Sequence, residues 1–323
     1  MWAMGYNEPG EPDVLHRAEI PEPVLLSSDI LVKVHASGLN PVDWRTRAGF
    51  PTPAAAAQAP GFKVLGWDVS GVVERVGSGV HLFQPGDEVF GLPWFPRPAG
   101  ANAEYVAAPS RQFAMKPTSL DHVHAAALPL AGLTAWQALT ETVTILSGQR
   151  VLVHSAGGGV GHFAVQIAKY FGAHVIGTAS EPKHEWLRLL GADELIDYRK
   201  VSFESATDPV DVVVDLVGGF GSDVPMRSLD VLRGGGVLVR VAPGTPRDLV
   251  ERALEREIRV TPEILVEPDN YGLKQLAALV DRGALAVTVE EVFPPSRLSD
   301  AHRRGESGRT AGKLVMDHFA AES

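Results

Sequence analysis

The sequence predicts an α/β chain of two domains: a mainly β, barrel-like first part followed by a doubly wound parallel sheet. Three observations carry this. The chain has 323 residues, more than one small core organises and suited to two domains of about 100 to 200 residues each. The first hundred residues hold short β-rich runs punctuated by glycine and proline. From about residue 125 onward, strand and helix patterns alternate.

Composition sets the outer bounds. Hydrophobic residues at 45% and charged residues at 21% fit an ordinary globular chain and exclude extended disorder, collagen-like and coiled-coil readings. A formal net charge of −10 repels phosphate backbones, so no nucleic-acid partner is expected. The absence of cysteine excludes disulfides, a thiolate nucleophile and any zinc site built on sulfur. The N-terminal MWAMGYNEPGEP shows no basic leader followed by an apolar stretch, and residues 124–140 are interrupted by Pro129 and Gly132. A cytoplasmic protein without membrane attachment is therefore expected.

The elements follow in order. Runs at 30–34, 69–76, 88–90 and 104–107 read as strands of the first domain, with the spacing of an antiparallel barrel. Strands are then expected at 151–154, 174–178, 194–196, 211–216, 236–241 and 258–261, with helices at 160–170 and 183–190 where apolar residues recur every three or four positions. Strands apolar on both faces and joined by helices argue for a parallel sheet. The tail reads as helix 271–281, strand 286–292, helix 297–306 and strand 313–316, a set able to complete the first domain. The expected organisation is 1–125 for the first domain, 126–265 for the sheet domain and 266–323 for the return.

The sharpest motif is VLVHSAGGGVGHFAVQIAKYFGAHVIGTAS at 151–180. A buried strand runs into Ala156-x-Gly158-x-x-Gly161, a helix follows at once, and a second strand closes the unit, which is the full context of a dinucleotide fingerprint. Gly158 and Gly159 let backbone N–H groups, with that of Val160, approach a pyrophosphate at the positive end of the helix, and Gly161 permits close packing. At the end of the second strand an NAD site usually carries an acid. Here stand Thr178, Ala179 and Ser180, with Lys183 one turn on and Glu181 as the only nearby acid. Hydroxyls and a cation suit the 2′-phosphate of NADPH, against the plainer reading of Lys183 as a solvated helix residue.

Further motifs extend the pattern: ASGLNPVDWRTRAG at 36–49, GWDVSGVVERVGSGVHLFQPGDEVFG at 66–91, LPLAGLTAWQAL at 128–139, LIDYR at 195–199 and SGRTAGKLVM at 307–316. Together with the fingerprint they resemble the medium-chain dehydrogenase/reductase superfamily and, within it, the zinc-independent quinone oxidoreductase branch. The resemblance implies a GroES-like catalytic domain around an inserted Rossmann domain, NADPH as cofactor, and a homodimer. In zinc-dependent members a cysteine, a histidine and a second cysteine hold the metal; the corresponding positions are Asn40, Trp67 and approximately Leu130. No catalytic zinc is expected. Without a Lewis acid, hydride transfer favours conjugated acceptors, in which the added charge spreads into an enolate or a reduced quinone. A small-molecule quinone or α,β-unsaturated carbonyl substrate follows. The alternatives are an enoyl reductase of polyketide or acyl metabolism and a non-catalytic NADPH-binding protein with a redox-sensing or RNA-binding role.

The resemblance also implies site residues. Asn40 would stand beside the nicotinamide, its amide on a substrate carbonyl, unless it caps the following turn. Thr134 would lie near the nicotinamide ribose, unless its hydroxyl bonds within the helix. Tyr198 would pack near the 2′-phosphate, and Val217 and Val241 would offer backbone contacts to the nicotinamide half. Trp44, Phe50 and Trp67 would shape a pocket for a flat substrate. Asp43 and Asp68 read as structural acceptors of loop hydrogen bonds. His122 and His124 lack a third metal ligand at a recognisable spacing. Among the cations of the tail, Arg309 or Lys313 could meet a cofactor phosphate.

Overall fold

The structure, a computed structural model, describes residues 1–57 and 60–321. The chain forms two compact units: Met1–Leu133 with Glu267–Gly283 and Val287–Ser323, and Thr134–Val266 with Ala284–Ala286.

The first unit is built on the strand Asp29–Leu39, eleven residues long. It pairs antiparallel with Val69–Val76, Tyr105–Pro109 and Lys313–Asp317. Val69–Val76 continues to Glu88–Gly91, and that strand to Phe113–Met115. Val289–Phe293 runs parallel to Lys313–Asp317, so the tail contributes two strands to this sheet. Trp2–Tyr6 pairs with His16–Glu19 and Lys63–Val64 in a smaller sheet. The core between the layers is aliphatic and aromatic, with Ile30, Val32, Val69, Val89, Val106 and Phe113 buried.

Short helices were not legible in this half. Pro41–Arg47 is a helix opened by proline at its first position, and Pro129–Trp136 opens the same way, because proline costs nothing where the N–H has no helical acceptor. The first unit accordingly extends to Leu133 rather than ending near 125. The tail strand begins at Val289 rather than 286. Ala286 instead joins the second unit: its N–H donates to Gln166 Oε1 at 2.7 Å, and Gln166 Nε2 donates to its carbonyl at 3.0 Å.

The second unit is a six-stranded sheet in the order Glu194–Ile196, His174–Thr178, Arg150–Val153, Val210–Asp215, Leu232–Arg240, Arg259–Glu263. Every neighbouring pair is parallel. Its central strands are buried along their lengths, as expected where helices cover both faces. The strand order reverses between Arg150–Val153 and Val210–Asp215. A switch point of this kind opens a crevice outside the carboxyl ends of those two strands.

Candidate cofactor site and buried polar centre

The glycine turn leaves Arg150–Val153 at the switch point. Ser155 takes a left-handed φ of 52°, and the helix Gly161–Tyr170 follows with Val160 as its cap residue and no side-chain cap. The N–H groups of His162, Phe163 and Ala164 are already spent on the carbonyls of Gly158 and Val160, and that of Gly158 on Ser155. The expected N–H contact from Gly158 is thereby corrected, and the N–H groups of Gly159 and Val160 remain for an anion. A Cβ on Gly161 would stand 2.2 Å from the Ser155 carbonyl oxygen, so only glycine closes this turn. Lys183 lies against the turn from the far side, its Nζ 3.2 Å from the Gly157 carbonyl oxygen.

A directional hydrogen-bond chain fixes Ser155. Ser228 Oγ donates to the Val224 carbonyl at 2.7 Å, so it accepts from His154 Nε2 at 3.0 Å. His154 Nδ1 is then an acceptor for the Thr178 hydroxyl at 3.2 Å, and Thr178 Oγ1 accepts from the Ser155 N–H at 3.2 Å. Burial, with Arg227 nearby, holds the His154 imidazole down at about 3, so it remains neutral in this tautomer. This corrects the expectation for Thr178. Its side chain is buried and committed to His154, and it supports the turn from below.

Ser180 precedes the turn Glu181–Lys183, with no hydrogen bond from its side chain to that turn. Lys200 Nζ pairs with Glu181 Oε2 at 2.6 Å, which neutralises that acid. Tyr198 is 58% exposed, and the Arg199 guanidinium carbon lies 5.7 Å from its ring centre. Arg199 and Lys200 follow Tyr198 as two consecutive cations, the local signal for a basic edge here. Thr134 is buried in the helix Pro129–Trp136. The N–H groups of Val217 and Val241 are both spent on Asp215, at 2.9 Å to its Oδ1 and 3.0 Å to its carbonyl.

The first unit contains a buried polar centre around Asn40. Its Nδ2 donates to Asp68 Oδ2 at 2.9 Å, and its Oδ1 accepts from Lys313 Nζ. Lys313 also reaches Asp68 Oδ2 at 3.2 Å and the Leu39 carbonyl at 3.0 Å. Asp68 Oδ1 accepts from the Leu130 N–H at 2.6 Å. Asp43 accepts from the N–H groups of Asn40 at 2.8 Å and Gly66 at 3.0 Å. Burial pushes the Asp43 carboxyl up to about 7, while those N–H donors and Lys313 pull against it. Asn40 is the N-cap residue of Pro41–Arg47, in a capping box with Asp43, and with its amide atoms engaged by Asp68 and Lys313 inside the unit it is not poised for a substrate carbonyl. Lys313, buried with its ammonium on Asn40 and Asp68, is withdrawn from any phosphate.

The aromatic trio divides. Trp67 is fully buried, its indole N–H donating to the Arg97 carbonyl at 2.7 Å and its ring edge-on to Phe95, so it is core rather than a pocket wall. Trp44 packs on Gly305, where an added Cβ would come within 2.6 Å of its ring. Phe50 stands 60% exposed. The donor set around Asn40, Trp67 and Leu130 does not fit zinc: an amide bound to an ammonium, an indole and an apolar side chain supply no usual ligand. Among the described residues no group of three or more His, Asp or Glu side chains has metal-holding geometry.

A parallel sheet with a glycine turn at its switch point, joined to a β unit with a buried polar centre, defines a dinucleotide-binding dehydrogenase architecture. The alcohol dehydrogenase GroES-like domain family matches residues 27–118, and the zinc-binding dehydrogenase family matches 190–316. The 2-methylene-furan-3-one reductase of Solanum lycopersicum is 36% identical, over 98% of this chain and 79% of its own. The quinone oxidoreductase of Coxiella burnetii superposes with a TM-score of 0.89 at 37% identity, covering 98% of this chain and 99% of that one. The Escherichia coli quinone oxidoreductase complexed with NADPH gives 0.84 at 27% identity, with 98% and 100% covered. The chain belongs to the medium-chain dehydrogenase/reductase superfamily, on its quinone oxidoreductase branch.

Proposed function

We propose that the protein is a zinc-independent, NADPH-dependent reductase of quinones or α,β-unsaturated carbonyls. The observation that carries this reading is the glycine turn at the switch point, with Ser180 and Lys183 at its adenosine end and Glu181 paired with Lys200. A quinone oxidoreductase with NADPH and a furanone reductase among the similar proteins support the same substrate class.

When bound, NADPH supplies a hydride from its nicotinamide. The chain's own residues bind and orient. The turn offers the N–H groups of Gly159 and Val160 to the pyrophosphate, while Ser180, Lys183 and the exposed Tyr198–Lys200 edge receive the 2′-phosphate. His154 and Thr178 hold the turn in shape without contacting the ligand. The polar centre at Asn40 fixes the loop before Pro41–Arg47, so that its role is structural support of the catalytic unit.

A homodimer in a cytoplasmic setting completes the reading. Sedimentation of the purified chain tests the dimer. NADPH oxidation measured against a panel of quinones, enones and enoyl thioesters tests the activity: turnover of small quinones or enones is expected, and turnover confined to thioesters would replace this substrate class with an acyl one.

A further inference from the structure

We infer that Asp215, with Arg240 and Glu263, is a brace that positions the two loops holding the nicotinamide half of the dinucleotide. This rests on the reading of NADPH as cofactor.

The three residues are in register on adjacent parallel strands at the carboxyl edge of the sheet, Asp215 opposite Arg240 and Arg240 opposite Glu263. Registered residues of parallel strands face the same side, so the row alternates negative, positive, negative. Asp215 is the hub. Its carbonyl accepts from the N–H groups of Val241 at 3.0 Å and Ala242 at 3.1 Å. Its Oδ1 accepts from Val217 at 2.9 Å and Gly218 at 3.0 Å. One residue thereby ties the start of the loop after its own strand to the start of the loop after the next.

The loops are also tied to each other. Gly219 N–H donates to the Gly244 carbonyl at 3.0 Å. Gly218 has a φ of +76°, and a Cβ there would lie 2.2 Å from the Pro243 carbonyl oxygen. Arg240 anchors the second loop to the sheet, its Nη2 reaching Thr245 in that loop and Glu263 Oε2 on the next strand at 3.4 Å. The remaining Asp215 Oδ2 and Arg240 Nε are buried without a hydrogen-bond partner among the described residues.

Topology assigns these loops to the nicotinamide end. The dinucleotide crosses the switch point at the glycine turn, and its adenosine end lies toward His174–Thr178, where Ser180 and Lys183 stand. The other end must run toward the strands on the opposite side, Val210–Asp215 and Leu232–Arg240. With the N–H groups of Val217 and Val241 spent, backbone contacts from these residues come through carbonyl oxygens. Those are acceptors for the carboxamide N–H of a nicotinamide.

The test compares two ligands on wild type and Asp215→Ala by calorimetric titration: NADPH and 2′-phospho-ADP-ribose, which lacks the nicotinamide. The brace predicts that NADPH binds about tenfold or more weakly to the variant, the worth of one charge-assisted hydrogen-bond pair. The Kd for 2′-phospho-ADP-ribose stays within about twofold, and Asp215→Asn, which keeps an acceptor, falls between. Equal weakening of both ligands, or no weakening of either, overturns the inference. Should Asp215→Ala not fold, Thr245→Val gives the same comparison through the second loop. A wild type that binds 2′-phospho-ADP-ribose but gains nothing from the nicotinamide half contradicts the brace alone, whereas one that binds neither ligand removes the cofactor reading and the brace with it.

Discussion

Lys313 Nζ lies 3.2 Å from Asp68 Oδ2 with both side chains buried, although 245 residues separate them in sequence. The pair joins the tail strand to the loop before Val69–Val76, and Asn40 bonds to both charged groups. Removing one partner of such a pair strands the other in a medium that cannot solvate it.

Lys313→Met is expected to destabilise the protein by about 3 to 5 kcal/mol in urea unfolding. Adding Asp68→Asn to that variant recovers part of the loss, with a coupling above about 1 kcal/mol. Additive losses would mean that the two residues act separately.

His154 makes stability depend on pH. Its imidazole is held near 3 against an unfolded value of 6.5, so the unfolded chain takes up a proton that the native chain refuses. The contribution is complete above about pH 6.5 and is lost as pH falls toward 3. Between pH 7 and pH 5 this amounts to about 2 kcal/mol. Chemical denaturation of His154→Gln should be flatter than wild type over that interval by about this amount, and parallel profiles would contradict the assignment.

Gly161→Ala should weaken NADPH binding at least about tenfold, because the Ser155 carbonyl oxygen, 2.2 Å from the new Cβ, must move and the turn with it. Far-ultraviolet circular dichroism checks that the fold persists. Unchanged affinity would show that the turn does not meet the pyrophosphate.

Lys183→Ala should reduce the preference for NADPH over NADH about tenfold, the worth of one hydrogen bond to a charged group. Steady-state KM values for both cofactors report it. A preference left intact would shift the 2′-phosphate contact to Arg199 or Lys200.

Much of the second unit was legible because its signals are local. The strands 174–178 and 194–196 are found with the same bounds, and the fingerprint lies on a strand, turn and helix as its spacing requires. Roles set by distant partners were not legible. Thr178 looked like a phosphate ligand because nothing near it in sequence announces that His154 consumes its hydroxyl. Lys313 reads in the sequence as a candidate phosphate contact, whereas the pairing of Leu314 with Leu39 carries it beside Asn40. The resemblance places Trp67 in a pocket, while its indole is buried against Arg97 and Phe95.

Turnover of a simple benzoquinone with NADPH and with NADH, before and after exhaustive chelation, tests the account most directly. It predicts faster oxidation of NADPH than of NADH and the same rates after chelation. Loss of turnover on chelation that returns with added zinc, or a preference for NADH, would contradict it.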